Sequence, residues 1–188
     1  MIDHQNARER MLQAAKELLD IEPDVKRVTV RQIAERAGVG VGSIHYHFGS
    51  KDALLAAALE YNITETIENF MQAERAHPDP VERLKVLLRT LFNVSPLQQK
   101  STRFLLQQRI LQGDMQVSMY IVRLLREVYG EQKEERALRL VALQILNPLQ
   151  LAAISPAAFR RYSGVELYDT RARNQLIDQL VDNVLTKA

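Results

Sequence analysis

Apolar residues recur at helical spacing along nearly the whole chain, and the alternation that marks β-strands is missing. Ala7, Met11, Ala15 and Leu18, with Leu12 and Leu19 beside them, form one stripe, which predicts a helix over about residues 3–19. Pro23, in Ile21-Glu22-Pro23-Asp24, breaks it. Val30, Ile33, Ala34 and Ala37 give the next helix its apolar face. Thr29 opens that helix with Gln32 at capping-box spacing, and Gly38 is suited to end it in a left-handed conformation. A third short helix follows from Val41 to Phe48. Ser50 is a good cap for a fourth, from Lys51 to about Ala76, with Leu55, Leu59, Ile63, Ile67 and Phe70 on one face. At 1.5 Å per residue that helix reaches roughly 35–40 Å.

His77-Pro78-Asp79-Pro80 is the clearest boundary, because each proline pushes its predecessor out of the helical region. Beyond it, Leu84, Leu87, Leu88 and Leu91 predict a fifth helix to about Asn93, and Ser95-Pro96 interrupts. Phe104, Leu105, Gln108 and Leu111 mark a sixth that Gly113 stops, and a seventh runs from about Asp114 to Tyr129. From Ala137 to Ile154 almost every residue is apolar, Arg139, Gln144, Asn147 and Gln150 excepted. Such a helix must be covered on more than one side, and Asn147-Pro148 predicts a kink in it. Phe159 to Thr170 reads as a polar excursion. Leu176, Ile177, Leu180, Val181 and Val184 then make a two-row stripe on a last helix over about residues 171–187. The expected fold class is all-α, with about nine helices and no repeats.

Two short helices joined by the tight turn Gly38-Val39-Gly40 form a helix-turn-helix pattern, whose second helix enters the DNA major groove. Charge supports this locally rather than globally. The net charge is only +2, yet Lys26, Arg27, Arg31, Arg36 and Lys51 face Glu35 alone between residues 26 and 51. That is an electrostatic footprint for phosphates.

Composition narrows the remaining classes. At 188 residues, 46% hydrophobic and 26% charged, the chain can bury a sizeable core. It has no cysteine, so disulfides and thiolate metal sites are excluded. The polar start, Met1-Ile2-Asp3-His4-Gln5-Asn6, carries no signal, and no run approaches the roughly 20 apolar residues of a bilayer span, so a cytoplasmic protein with no membrane partner is expected. His45 and His47 diverge on a helix and His4 and His77 are distant, which argues against a metal site. Ser43 has no acid–base partner at a motif spacing, so no enzyme and no cofactor are expected.

The residues from Ala14 to Leu55 resemble the tetracycline-repressor (TetR) family of bacterial regulators. The match rests on Ala14-Ala15 and Leu18-Leu19, Thr29-Val30 with Ile33-Ala34, Ala37-Gly38-Val39, Gly42-Ser43-Ile44, His47-Phe48, and Ser50-Lys51 with Leu54-Leu55. The rest agrees in layout only, about nine helices of which the last two usually form a dimer interface. Two positions depart from the family pattern. Ser or Thr is common where this chain has Gly40, so no side-chain hydroxyl caps the third helix. Tyr is common where this chain has His45, with Tyr46 next to it.

In this reading residues 1–51 are a helix-turn-helix domain, the helix over 51–76 is a link, and residues 52–188 form a ligand-binding and dimerisation domain. Val41, Ser43, His45 and Tyr46 are the candidates for base edges, and Gly42 lets the backbone approach the DNA. Thr29, Arg31, His47 and Lys51 are placed to grip phosphates. Phe92, Phe104, Gln108, Met119, Tyr120 and Asn147 are candidates to line an effector pocket, against the plainer alternative of core residues. The last two helices offer more apolar surface than one bundle buries, which predicts a homodimer seam through Leu176, Ile177, Leu180, Val181 and Val184. The expected function is a dimeric transcriptional regulator, a repressor released from near-palindromic double-stranded DNA by an unidentified small-molecule effector. The alternatives are an effector-independent DNA-binding regulator or a helical protein-interaction module.

Overall fold

A computed structural model of the chain describes residues 2–22, 24–73, 78–93 and 99–185. Among these the fold is all-α, with ten α-helices and a short 3-10 turn. The helices are α1 (Ile2–Ile21), α2 (Val30–Ala37), α3 (Val41–Phe48), α4 (Lys51–Ala73), α5 (Pro80–Leu91), α6 (Gln99–Gln112), α7 (Gln116–Tyr129), α8 (Glu135–Ile154), α9 (Pro156–Ser163) and α10 (Thr170–Leu185). Pro23, His77 and the Ser95-Pro96 break lie outside the described residues, as does the predicted end of the last helix at Lys187.

The chain divides into two compact units. The first comprises Met1–Glu65 and Leu97–Gln108, and the second Thr66–Pro96 and Arg109–Ala188. In the first, Met11, Ala14, Ala15 and Leu19 of α1 share a buried core with Ile33, Ala34 and Ala37 of α2, Ile44 of α3, and Leu54, Leu55 and Ala58 of α4. Each large apolar side chain buried there contributes about 1.5–3 kcal/mol. Phe104 of α6 packs against this same core.

The second unit packs α7 against α8 and α5, α10 against α5 and α8, and α9 against α8. Leu84, Leu87 and Leu88 of α5 meet a core completed by Ile121, Leu124 and Leu125 of α7, Leu138, Ile145 and Leu149 of α8, and Ile177 and Val181 of α10. Its rim is ionic: Arg83 pairs with Glu127, Arg89 with Asp178, and Lys85 with Asp182 at 2.8 Å.

Local chemistry sets the helix ends. Asp79 accepts from the Val81 amide at 2.9 Å and Pro80 fills the first position of α5. Gly113, at φ +67°, ends α6 in a conformation L side chains avoid. Pro148 lies inside α8, which is helical on both sides of it. Two expectations are modified. The predicted polar excursion contains a helix, α9, which Pro156 starts and Gly164 stops at φ +76°. Helix α8 also has the length and hydropathy of a bilayer span. Its apolarity has another use, since Leu138, Ala142, Ile145, Leu146, Leu149, Ala152 and Ala153 are buried in the second unit.

Candidate nucleic-acid interface

The helix-turn-helix is built by caps. The Thr29 amide donates to the Gln32 side chain at 2.8 Å, and the Gln32 amide donates back to the Thr29 hydroxyl oxygen at 3.3 Å. At the other end of α2, Gly38 takes φ +65° and its neighbour Val39 donates to Ala34 at 3.0 Å, turning the chain toward α3. Gly40 is the N-cap of α3 and supplies no side-chain bond.

Ile44 is fully buried and pins α3 to the core. The opposite face carries the exposed residues Val41, Gly42, His45 and Tyr46, at positions that fall on one side of a helix. Tyr46 is 78% exposed. Ser43 and His47 are half-buried at the flanks, and the His47 ring meets Tyr46 edge-on at 5.0 Å. A Cβ added at Gly42 would meet nothing within 4 Å, and Gly42 is not among the glycines with positive φ. Packing within the chain therefore gives no reason for glycine there.

Several of the residues expected at phosphates have partners within the chain. Lys51 is half-buried, and its ammonium donates to the carbonyls of Val25 at 3.1 Å and Val28 at 2.9 Å. Two of its three N–H donors are thereby committed to the link between α1 and α2. The Thr29 hydroxyl is engaged by Gln32. Arg36 pairs with Glu17 at 2.6 Å and Arg27 with Glu22 at 2.9 Å. The acids that neutralise them sit on and just after α1, outside the basic stretch, which is why a local charge count missed them. Lys26 and Arg31 remain exposed with no ion pair among the described residues. Arg8 was not anticipated: its guanidinium carbon lies 5.2 Å from the centre of the Phe48 ring, which sets an exposed cation beside the end of α3. Nothing in the sequence pairs residues that far apart.

The electrostatics around this unit are those of exposed pairs. Hydrogen bonds from Arg36 and Gln13 hold the Glu17 carboxyl below its ordinary pKa. Lys100 and the Lys26 amide do the same for Asp24, which Lys100 reaches at 2.6 Å.

The effector candidates fall in both units. Phe92 is buried in the second unit. Phe104 and Gln108 belong to the first unit. Met119 is 46% exposed, Tyr120 half-buried, and Asn147 exposed. A groove of about 320 Å³ opens instead between α1 and α4, lined by Glu9, Leu12, Gln13, Lys16, Ala58 and Tyr61.

The dimer candidates divide. Ile177 and Val181 are 0% exposed in the single chain. Leu176, Leu180 and Val184 stay half-exposed on α10. On α8, Leu140, Gln144, Asn147 and Leu151 are all exposed and fall on one stripe.

Residues 11–58 match the family of bacterial regulatory proteins, tetR family. The regulator TtgR of Pseudomonas putida is 32% identical over 101 residues, covering 53% of this chain and 47% of that protein. The nucleoid occlusion factor SlmA of Aliivibrio fischeri is 27% identical over 89 residues, covering 46% and 44%. The chain thus spans less than half the length of these relatives. Among solved structures, the transcriptional regulator FadR of Bacillus subtilis, in complex with stearoyl-CoA, has the same fold. Its TM-score is 0.64 at 19% identity, covering 92% of this chain and 97% of that one.

Proposed function

We propose, from the match of residues 11–58 to the tetR family of bacterial regulatory proteins, that this chain is a dimeric repressor that binds near-palindromic DNA and leaves it when a small molecule binds the second unit. The observation that carries the reading is the outward face of α3, where Val41, Gly42, His45 and Tyr46 stand exposed over the buried Ile44. Side chains that project from a pinned helix are what major-groove reading requires. Arg31, Lys26 and Arg8 supply cations around that face, and cations on phosphates set register without carrying sequence.

Dimerisation is supported by the stripe Leu140, Gln144, Asn147 and Leu151 on α8, with Leu176, Leu180 and Val184 on α10. A two-fold dimer buries the same patch on both subunits and presents two α3 helices to half-sites about one helical turn apart. Effector control is supported by the family and by a relative of the same fold that holds stearoyl-CoA. An effector shifts the equilibrium only if it prefers the conformation that does not fit the operator. A cytoplasmic location follows from this function.

A second reading keeps DNA binding and drops the effector. It is favoured by the placement of Phe104 against the core of the first unit and of Met119 and Asn147 at the surface. One experiment separates the two. Selection of duplex DNA from a random library, followed by a screen for small molecules that raise the Tm and release the selected duplex, supports the first reading if it yields both a palindrome and a hit. A palindrome that no melting-shift ligand releases supports the second. No selected sequence at all overturns both.

A further inference from the structure

The carbonyl oxygen of Gly49 can only accept a hydrogen bond. Nδ1 of His45 lies 3.3 Å from it, a long bond but one with a single possible direction. In the neutral imidazole this bond places the proton on Nδ1 and leaves Nε2 as a lone-pair acceptor. Gly49 is the C-cap of α3 at φ +73°, a glycine conformation that sets its carbonyl at the helix end. His45 itself is exposed and shares the outward stripe with Val41, Gly42 and Tyr46. On the same helix the His47 ring is turned edge-on to Tyr46, and Arg8 is held over Phe48.

Resting on the reading of α3 as the groove-entering helix, we propose that His45 reads a base and not a phosphate, with Nε2 accepting a hydrogen bond from an exocyclic amine. A phosphate oxygen offers only lone pairs and cannot bond Nε2 in this tautomer. In the major groove guanine presents N7 and O6 and thymine O4, all acceptors. Only adenine N6 and cytosine N4 donate there. One position of each half-site is thereby restricted to adenine or cytosine on the contacted strand. The Gly49 carbonyl acts as the orienting group, fixing which ring nitrogen faces the DNA.

The test is library selection with the full chain at pH 8, using the wild type, His45→Ala and His45→Lys. The wild type is expected to select adenine or cytosine at one position of each half-site. His45→Ala should lose that restriction alone, with a loss of affinity of roughly 5- to 100-fold for the wild-type site. His45→Lys, which carries donors only, should move the preference to guanine. A further arm uses only the wild-type protein and so does not depend on how a variant folds. Dimethylation of the amine at that position, on adenine N6 or cytosine N4, should cost as much as His45→Ala, and the base that responds identifies the donor. The proposal is overturned if His45→Ala selects the same sequence at every position with uniformly weaker binding, or if the dimethylated duplex binds as well as the parent. A wild type that selects no sequence overturns the DNA-binding reading itself, a result distinct from either of these.

Discussion

The ammonium of Lys51, in the first turn of α4, donates to the carbonyl of Val28 at 2.9 Å, 23 residues earlier in the chain. The Val25 carbonyl takes a second N–H at 3.1 Å. Lys51 thus ties α4 to the segment that delivers Thr29 to its capping position. Lys51→Ala should lower the unfolding free energy by about 1–2 kcal/mol, since two charge-assisted bonds at a half-buried site are lost. DNA affinity should fall with it, but the slope of log affinity against log salt should stay at its wild-type value. Arg31→Ala should do the opposite, leaving stability alone and reducing that slope by about one. Denaturant titration and binding at several salt concentrations measure both. A stable Lys51→Ala protein with a shallower slope would return Lys51 to the phosphates.

Gly42 separates folding from function in a single substitution. It lies in a helix, its φ is not positive, and a Cβ there meets nothing. Glycine in the middle of a helix costs about 0.5–1 kcal/mol against alanine. Gly42 is the second residue of α3, so Gly42→Ala should raise the unfolding free energy by up to about that amount. The same methyl stands on the exposed face of α3 and should weaken binding to the selected duplex. A protein that is both more stable and tighter on DNA would remove Gly42 from the interface.

How much of this was legible depends on the range of the interactions. The α2 and α3 boundaries follow from Thr29, Gln32, Gly38 and Gly40, all acting within a few residues, and the structure reproduces them. Helix α9 was missed because Arg160, Arg161 and Tyr162 present no apolar stripe, although Pro156 and Gly164 are the start and stop signals that would have framed it. Partners distant in sequence were not legible. Arg36 with Glu17, Lys51 with Val28 and Arg8 with Phe48 are pairings made by the fold. Periodicity likewise marked Ile177 and Val181 as apolar. It could not tell a face buried inside the unit from one left for a partner.

That distinction gives the α8 face its own test. Leu151 is 57% exposed and Leu140 56%, so a charge at either site costs the isolated chain little. Leu151→Arg should leave the Tm within a few degrees of that of a monomeric reference, shift sedimentation from dimer to monomer, and weaken binding to a two-half-site duplex far more than to a single half-site. Ile177→Ala, at a fully buried position, should instead cost about 2–5 kcal/mol of stability. A Leu151→Arg protein that remains dimeric would move the seam elsewhere.

The last expectation concerns acid. Glu17 and Asp24 both have carboxyl pKa values below the ordinary range, Glu17 through Arg36 and Gln13, and Asp24 through Lys100 and the Lys26 amide. A depressed pKa in the folded state means that the unfolded chain binds protons first. The stabilisation is therefore fully present above the unfolded values of about 3.9 for Asp and 4.3 for Glu, and is lost as pH falls through the folded values. Both pairs hold segments around α2: Arg36 is in its last turn, and Asp24 lies in the link before it. Hydrogen exchange at α2 amides should accelerate as pH drops below about 4, beyond the intrinsic pH dependence of exchange. Glu17→Gln and Asp24→Asn should each remove part of that extra acceleration. Because Glu17, Arg36 and Lys100 are open to solvent, added salt should also reduce it. Variants that keep the full wild-type acid response would mean that neither pair forms in solution, and that the acid sensitivity of α2 arises from other carboxylates.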